Sequence, residues 1–574
     1  MDPHDTLFSL ADEYWESVLE ASPSLATLLG DRRFDDRIED LTIEAEERLR
    51  GRWDTLLDRL DAVEPVQLEP ADRVTHSLLR SELSHGIEGL SLRLTEMASD
   101  QMDGVHAGLL TLAPQVHAPD SDSARKLLER HRQIGTLLDQ AVERFRAGVA
   151  AGRTPARLTI ERSLNQLDGY LASDLDQDPF VTMAGPPDWD GEATWRDELA
   201  DVARQVIRPA FGRYRQMLAD ELLPVARPDD RCGLLWLAGD HNSGGGSRRA
   251  DRAGDDSEGN AIYRSLIRRH TTLDDMDAEE IHALGLAELD RLTDEYGDVG
   301  MRLLGTRDLA EIFTRLRQDP ELRYATGSEI MADARDCLDA ATAAMGEWFG
   351  LLPHAACDIK PVPDFLAADA PAAYYFPPAA DGSRPGAYFV NQSEPSERNR
   401  YETASVAFHE AIPGHHLQLS IANELEHLPR FQRHSFANTA FVEGWALYTE
   451  RLADEMDLYR SDLDRVGMLA GDSWRSCRLV VDTGLHAKGW SRQRAVDFMV
   501  ASAPVGVEEI KVEVDRYVAM PGQALAYKVG QLEIQRLRRA VEQRQGADFD
   551  IRAFHDVVLG SGSVSLPVLR DLVG

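Results

Sequence analysis

The stretch FHEAIPGHHLQ, residues 408–418, places three histidines and a glutamate close together in a chain that has only 17 histidines. A helix carrying HExxH puts two imidazoles one turn apart on the same face, where both can bind one zinc ion beside the intervening glutamate. Here the strict spacing fails, because residues 411–414 separate Glu410 from His415. On a straight helix the step from His409 to His415 turns about 240° away, so the two rings could not share a metal.

Pro413 and Gly414 offer a way around this spacing. Proline removes a backbone donor and clashes with the preceding turn, and glycine accepts a positive φ, so the pair can extrude a bulge of about two residues and let the helix continue. With Ile412 and Pro413 looped out, the stretch reads as HExxH and His415 becomes the second metal ligand. His416 then points to the neighbouring face and is the alternative ligand.

A third ligand can come from FVEGWALYTERLADE, a helical segment in which Glu443 lies 28 residues after His415 among apolar neighbours. A glutamate from a following helix completes a zinc site of two histidines and one glutamate, with an open position for water. We therefore predict a metal site formed by His409, His415 and Glu443. The plainer interpretation is a carboxylate near a helix N-terminus beside polar core histidines.

Amphipathic helices must position these residues, since apolar residues recur at three- and four-residue steps along most of the chain. The pattern predicts helices from Leu7 to about Leu60 and from Ala71 to about Met97, and Asp277 is a predicted helix N-cap. Breaks are expected at Ser22, around Pro70, near Pro119 and from Gly185. The expected organisation is a helical lobe over residues 1–238, a flexible Gly/Ser/Asp-rich loop over 239–260 and a second helical lobe over 261–574.

The segment from Pro361 to Asn391 differs in character, because aromatic and β-branched pieces alternate with Pro, Asp-Gly and Pro-Gly. This pattern predicts one short β-hairpin, at about residues 361–392, in a protein that is otherwise mainly α. The strand that starts at Gly386 could lie along a bound peptide as an added strand.

The composition limits the classes of partner. Hydrophobic residues make up 43% and charged residues 28%, as in an ordinary globular protein. The net charge of -37 repels phosphate backbones and anionic lipid, so we expect no nucleic-acid or membrane partner. The start of the chain has no signal-peptide pattern, and we expect a cytoplasmic protein. The cysteines form no CxxC pair and are expected to be buried free thiols: Cys232, Cys337, Cys357 and Cys477.

Four motifs carry a family resemblance: HEAIPGHHLQ, VEGWALYTE, VDTGLHAKGWS and RYVAMPGQALAYKVGQLEIQRLR. In order and spacing they resemble the family catalogued as domain of unknown function 885, and the similarity covers nearly the whole chain. That family is similar to gluzincin metallopeptidases of the oligopeptidase, angiotensin-converting-like and thermostable carboxypeptidase types. The resemblance implies a large two-lobed helical body with a deep central channel and the zinc helix at its floor. It also favours His415 over His416 as the ligand.

The activity that this resemblance implies is zinc-dependent hydrolysis of amide bonds in short peptides, with Zn²⁺ as the cofactor. Zinc lowers the pKa of a bound water and polarises the scissile carbonyl, while a nearby carboxylate moves the proton. Glu410, adjacent to a ligand, is the predicted general base and later acid. Tyr527, after a Pro-Gly turn, is the predicted oxyanion donor, since related peptidases use a tyrosine from a carboxy-terminal segment in this way.

Other residues are candidates for supporting the ligands or contacting substrate: His416, Asp482, His486, Arg516, Tyr517, Gln523, Lys528 and Tyr388. Asp482 and His486 are one helical turn apart and could hydrogen-bond each other or support a ligand. Arg516 and Lys528 could receive a substrate carboxylate.

Two other functions stay open at the level of sequence. The same zinc fold can act on a non-peptide amide or ester, or lack peptidase activity. Two ExxH pairs, Glu279 with His282 and Glu424 with His427, match part of the ligand pattern of a di-iron carboxylate protein. The substrate, the choice between exopeptidase and endopeptidase, and the oligomeric state do not follow from the sequence.

Overall fold

The computed structural model describes residues 2–237, 257–363, 367, 371–378, 384–435 and 437–574. The fold is 72% helical with one small sheet, which confirms the mainly α class. Most of the loop predicted for residues 239–260 lies outside the described residues. Its last part is helical, because the Ser257 side chain caps a helix that begins at Glu258.

Helices dominate the first 237 residues, as the apolar spacing predicts. They are α1 Pro3–Ala21, α2 Pro23–Leu28, α3 Ile43–Asp61, α4 Pro70–Ser91, α5 Val105–Leu112, α6 Ser121–Ala150, α7 Arg157–Ala172, α8 Pro179–Thr182, α9 Glu192–Val202 and α10 Arg208–Met217. The four predicted breaks all fall at helix ends or between helices. The helix predicted from Leu7 to Leu60 is wrong over residues 29–42, where turns and one short 3-10 helix separate α2 from α3.

The remainder of the chain continues with helices on either side of a short β region. They are α11 Glu258–Thr271, α12 Ala278–Leu304, α13 Leu309–Gln318, α14 Gly327–Trp348, α15 Thr403–Glu410, α16 His415–Glu424, α17 Arg430–His434, α18 Thr439–Glu455, α19 Asp462–His486, α20 Arg492–Ser502, α21 Val507–Ala519, α22 Ala526–Gln545, α23 Ile551–Leu559 and α24 Leu566–Val573. Asp277 caps α12 as predicted, accepting hydrogen bonds from the backbone N–H groups of Glu279 and Glu280. Within the described ranges, every helix is too short or too polar to traverse a lipid bilayer.

The β region forms a three-stranded sheet. Its strands are β1 Cys357–Pro361, β2 Ala373–Phe376 and β3 Gly386–Val390. The predicted hairpin is present as the antiparallel pair β2 and β3, and the prediction missed β1, which pairs parallel to β3. Because β3 is the central strand, both of its edges are occupied. The prediction that the strand starting at Gly386 adds to a bound peptide is therefore wrong, and the outer edges of the described sheet belong to β1 and β2.

Buried apolar side chains of the described residues form three clusters. The largest joins α1, α3 and α4 to helices from α11 to the end of the chain. A second cluster belongs to residues 113–226, and a third lies mainly around α19, α20 and α21. Residue 238 therefore does not separate one core from another, and the division into two lobes stays a prediction.

Helices α18 and α22 pack at unusually close range. Gly444 on α18 faces Gly530 on α22, and a Cβ added to Gly444 would collide with the backbone of Gly530. A Cβ added to Gly530 would in turn collide with the carbonyl oxygen of Ala440. Only residues without a side chain permit this approach. The contact fixes how far α22 stands from α18.

Replacing Gly530 by alanine is expected to force α18 and α22 apart. Overpacking of this kind costs about 1–3 kcal/mol of folding free energy, which urea unfolding would register as a lower midpoint. Gly346→Ala in α14 is the matched control, because nothing lies within 4 Å of the added Cβ. That control should gain about 0.5–1 kcal/mol. Equal midpoints for the two variants would contradict the close packing of α18 on α22.

Candidate metal centre

The turn between α15 and α16 decides whether two histidines can meet. Because α15 ends at Glu410 and α16 begins at His415, a turn over residues 411–414 replaces the predicted bulge of about two residues. The predicted positive φ is also wrong, since Gly414 has a φ of -79°. Glycine is required there for another reason: a Cβ would collide with the carbonyl oxygen of His409.

Helix α18 holds this turn through two side chains. The indole N–H of Trp445 donates a hydrogen bond to the carbonyl oxygen of Pro413 at 3.0 Å. One turn further along α18, the hydroxyl of Thr449 donates to the carbonyl oxygen of Phe408 at 3.2 Å. The end of α15 and the turn after it are therefore fastened to the helix that also carries Glu443.

The three predicted ligands lie together. Nε2 of His415 is 3.5 Å from Oε2 of Glu443, and Nε2 of His409 is 3.7 Å from the same oxygen. One potential ligand atom from each residue lies within 4.8 Å of the other two. Two ligands of a tetrahedral zinc ion at about 2.0–2.1 Å are about 3.4 Å apart. The donor types and their spacing therefore fit a zinc ion with little rearrangement.

Glu450 is a residue of the centre that sequence reasoning missed. Its Oε1 accepts a hydrogen bond from Nδ1 of His409 at 2.8 Å, and its side chain is only 3% exposed. A carboxylate on this nitrogen fixes the imidazole with Nε2 turned towards a metal. Glu450 follows Glu443 by seven residues on α18, which returns a helix to nearly the same face. That spacing is the signal that could have identified it.

The carboxylates control the protonation of the centre. Burial alone lowers the pKa of His409, but hydrogen bonds to Glu443 and Glu450 outweigh it and raise that pKa to about 9. Burial raises the pKa of Glu443, yet the two neighbouring imidazoles bring it far below its ordinary value. The two carboxylates therefore stabilise a proton on His409, and a metal ion that bound there would compete with that proton.

Glu410 presents an uncommitted carboxylate beside the ligands. It is the last residue of α15, directly after His409, and is partly exposed. Among the residues that the structure describes, it has no hydrogen-bond or ion-pair partner. Burial, and then the charge of Glu410, raises the pKa of Tyr388 on β3, so the central strand lies near this carboxylate. Glu410 is thus free to exchange a proton with water or substrate.

Tyr527 also lies next to His409. The two rings are stacked with centroids 6.4 Å apart, and the guanidinium of Arg478 lies 4.5 Å from the centroid of the phenol ring. The side-chain amide of Gln523 donates to the Tyr527 hydroxyl at 3.5 Å. Burial, with a smaller contribution from Glu443, raises the pKa of Tyr527. A protonated phenol is therefore available as a hydrogen-bond donor beside the metal ligands.

Asp482 supports the turn that leads into the helix of Tyr527. Its carboxylate accepts hydrogen bonds from the backbone N–H of Gly522 at 3.1 Å and from the Tyr263 hydroxyl. Burial raises the pKa of Asp482 to about 7. These partners, rather than His486, take up its hydrogen-bonding capacity, so the predicted pairing of the two residues does not occur.

His416 faces away from the predicted ligands. Its Nε2 donates to the carbonyl oxygen of Ala355 at 3.1 Å, and its Nδ1 lies 2.9 Å from the hydroxyl of Tyr375 on β2. Both ring nitrogens are therefore engaged, and burial lowers the pKa of His416 to about 4. His415 is the histidine of the pair that reaches Glu443.

The two cationic residues proposed for a substrate carboxylate differ in access. The Lys528 side chain is 1% exposed, and its ammonium donates to Asp472 and lies 3.0 Å from Glu288. The prediction that Lys528 receives a substrate carboxylate is wrong, because the buried carboxylate of Asp472 and the partly buried carboxylate of Glu288 already neutralise it. Arg516 is 14% exposed and donates to the side-chain carbonyl of Gln523 at 2.7 Å.

Tyr517 and His486 support Arg478 rather than the ligands. The Tyr517 hydroxyl accepts hydrogen bonds from the indole N–H of Trp474 at 3.0 Å and from Nε of Arg478 at 2.9 Å. Nε2 of His486 donates to the carbonyl oxygen of Tyr517 at 3.0 Å. Together they hold the guanidinium of Arg478 in place against Tyr527.

Charged side chains form an arginine–glutamate wall next to Tyr527. Its members are Arg398, Arg475, Arg478, Arg516, Glu402, Glu509 and Glu513. Burial, reinforced by the charges of Glu402 and Glu513, raises the pKa of Glu509 to about 8.

An apolar cavity of about 170 Å³ adjoins the elements that carry the ligands. Leu419, one turn after His415 on α16, lines it together with Val442, the residue before Glu443. Phe376, the last residue of β2, contributes to the same lining. The cavity has the size and character to take an apolar side chain.

The ExxH pairs do not assemble a second centre. Among the described residues, the predicted three-ligand cluster is the one group of three metal-binding side chains. Glu279 forms an ion pair with Lys488, and Glu424 accepts a hydrogen bond from the ring of His354. A di-iron site would need several carboxylates around each pair, and the described residues do not supply them.

Glu450→Gln is expected to weaken zinc binding about 10- to 100-fold, because the amide cannot hold the His409 imidazole as a carboxylate does. Competition with a zinc chelator would give the affinity. Glu455→Gln is the matched control on the same helix, since Glu455 forms an ion pair with Arg538. Equal affinities for the two variants would contradict the role of Glu450 in orienting a ligand.

Comparison with known proteins supports the family resemblance. The model of a family described as "Bacterial protein of unknown function (DUF885)" matches residues 23–573. A comparison with functionally curated proteins finds no match. These comparisons do not show the resemblance to gluzincin peptidases, which rests on the sequence motifs and on the residues of the site.

Two solved structures share the fold. A candidate lipoprotein from Colwellia psychrerythraea superposes with a TM-score of 0.88 at 25% identity, over 100% of this chain and 99% of that one. A candidate lipoprotein of unknown function from Shewanella oneidensis gives a TM-score of 0.74 at 19% identity, over 98% of this chain and 99% of that one. With a family match over nearly its whole length, the chain belongs to the bacterial family DUF885.

Proposed function

We propose that this protein is a zinc-dependent hydrolase that cleaves amide bonds of short peptides. The observation that carries the proposal is the convergence of His409, His415 and Glu443 at distances that suit one zinc ion. The free carboxylate of Glu410 and the phenol of Tyr527 flank this cluster. Two neutral imidazoles, one carboxylate and an open position form the donor set of a catalytic rather than a structural zinc site.

The reaction needs a proton to be moved twice. A bound zinc ion supplies Lewis acidity, which polarises a substrate carbonyl and makes a water molecule more acidic. Glu410 accepts the proton that the attacking water loses as the new carbon–oxygen bond forms. Glu410 then donates the proton to the amide nitrogen as the carbon–nitrogen bond breaks, which releases a neutral amine. Its lack of another partner among the described residues leaves Glu410 free for both transfers.

Tyr527 is suited to stabilise the oxyanion. Its raised pKa keeps the hydroxyl protonated near neutral pH, so it can donate a hydrogen bond to negative charge that develops on the carbonyl oxygen. The ring stacks with His409 and also contacts the guanidinium of Arg478, and these contacts restrict its motion. A donor held in place before the reaction requires little reorganisation in the transition state.

Strand β2 is a better candidate than the central strand β3 for holding the main chain of a substrate. It is an outer strand of the described sheet, and it contacts α15, the helix that carries His409 and Glu410. The hydroxyl of Tyr375 on β2 also contacts His416, next to a proposed ligand. An extended peptide paired with β2 would be bound through hydrogen bonds to its main chain. The adjoining apolar cavity would accept one of its side chains.

The Glu410→Gln variant tests the proposal. Zinc content should stay near that of the unsubstituted protein, because Glu410 is not one of the proposed ligands, while kcat should fall by about 10²- to 10⁴-fold with loss of the general base. A mixed peptide library analysed by mass spectrometry gives the cleavage products, and Glu426→Gln, at an exposed position after α16, is the control. Full peptide turnover by the Glu410→Gln variant, or no turnover by the zinc-loaded unsubstituted protein, would refute the mechanism.

A further inference from the structure

We propose that Arg475 and Arg478 form a subsite for the terminal carboxylate of the substrate, so that the enzyme removes residues from the carboxyl end of short peptides. This inference rests on the proposed peptidase function and adds its mode of action. Neither arginine was singled out from the sequence, because their significance depends on the partners that the fold gives them.

The two guanidinium groups lie close to each other and to the metal ligands. Arg475 and Arg478 are one turn apart on α19, and both lie over the indole of Trp474, at 5.1 and 5.0 Å from its centroid. Arg478 also lies 4.5 Å from the ring centroid of Tyr527. Nη2 of Arg475 is 3.8 Å from Oε1 of Glu450, the carboxylate that holds His409. The pair therefore borders the centre from the side of Tyr527.

Each arginine has a buried N–H group without an acceptor. Nη1 of Arg478 and Nε of Arg475 are inaccessible to solvent and have no hydrogen-bond partner among the described residues. The Arg478 side chain is only 6% exposed. An unsatisfied buried donor is costly, and the cost is greater for a charged group. A ligand anion that accepts hydrogen bonds from these two N–H groups would remove that energetic cost.

The rest of the Arg478 guanidinium is already committed to the protein. Its Nε donates to the Tyr517 hydroxyl at 2.9 Å, and its Nη2 donates to Glu513 at 3.0 Å. These bonds fix the plane of the guanidinium before substrate arrives. A planar group held in this way suits a carboxylate, which accepts hydrogen bonds in the same plane.

The local charge favours an anion in a chain whose net charge is -37. The arginine–glutamate wall contains four arginines and three glutamates. Burial raises the pKa of Glu402 and of Glu509, so these two carry less negative charge than glutamates of ordinary pKa would. The four arginines of the wall would therefore attract a carboxylate.

Distance selects a terminal carboxylate over a remote one. The ring of Tyr527 is 6.4 Å from that of His409, and the Arg478 guanidinium is 4.5 Å from the Tyr527 centroid, so the guanidinium is at most about 11 Å from the His409 ring. An extended residue spans about 3.3–3.6 Å, so a carboxylate bound by Arg478 is within about three residues of the scissile bond. Aspartate or glutamate side chains of a substrate offer the same chemistry, and the experiment separates the two sources.

The binding probe is acetyl-trialanine, bound to the zinc-loaded Glu410→Gln protein and measured by calorimetry. The free acid should bind about 10- to 100-fold more tightly than the carboxyl-terminal amide, as expected for charge-assisted hydrogen bonds. An amide in which the last alanine is replaced by aspartate should bind no better than the plain amide. Equal binding of acid and amide overturns the subsite, and preference for the aspartyl amide reassigns it to an acidic side chain.

Substitutions of the two arginines test whether they cause the preference for the free acid over the amide. Arg475→Gln and Arg478→Gln, each combined with Glu410→Gln, should reduce the preference for the acid about tenfold or more. Arg475→Gln disturbs fewer protein contacts and covers the case in which the Arg478→Gln variant fails to fold. Arg494→Gln is the matched control, because Arg494 also stacks on an indole, that of Trp490, but is exposed. An unchanged preference in Arg475→Gln and Arg478→Gln overturns the assignment.

Cleavage products of the unsubstituted enzyme separate the two proposals. Preference for the acid in binding, together with stepwise loss of carboxyl-terminal residues, supports both. Acid preference without any cleavage keeps the subsite and refutes the peptidase. Cleavage at internal bonds, with acid and amide bound equally, keeps the peptidase and refutes the subsite.

Discussion

The close approach of two backbone segments at Gly414 is the constraint on which the candidate metal centre depends. Without a side chain at that position, the chain can fold back against the end of α15 and start α16 with His415 beside His409. Any Cβ would collide with the carbonyl oxygen of His409 and separate the two imidazoles. A straight helix could not bring these rings together, because six residues turn away by about 240°. The interruption therefore creates the site.

Helix α18 holds that turn in place and supplies the remaining residues of the candidate centre. It supplies Glu443 as a candidate ligand and Glu450 as the partner of His409, and its Trp445 and Thr449 side chains hold the backbone around the turn. The paired glycines bring α22, with Tyr527 near its start, against the same helix. The candidate ligands, the carboxylate that orients His409 and the hydroxyl donor are thus all held by contacts with α18. Contacts with a single helix keep the groups of a site in a fixed arrangement.

Local sequence predicted the parts of this structure that depend on short spacing. The helical class, the Asp277 cap and the convergence of His415 with His409 all follow from residue type and separation. Contacts between distant segments could not be predicted in this way, because no local sequence pattern encodes them. The parallel pairing that makes β3 central depends on β1, and the burial of Lys528 depends on acids from α12 and α19. Glu450 could have been predicted from the sequence, because its seven-residue spacing from Glu443 places both side chains on nearly the same face of α18.

Anomalous diffraction at the zinc absorption edge, from crystals of the protein purified without chelators, is the decisive test of the metal centre. We predict one strong peak per chain, about 2.0–2.2 Å from Nε2 of His409, Nε2 of His415 and a carboxylate oxygen of Glu443. A fluorescence scan of the same crystal identifies the element. Crystals grown with added zinc that show no peak at these three residues, or a peak only elsewhere, would contradict the metal centre and the hydrolase proposed from it.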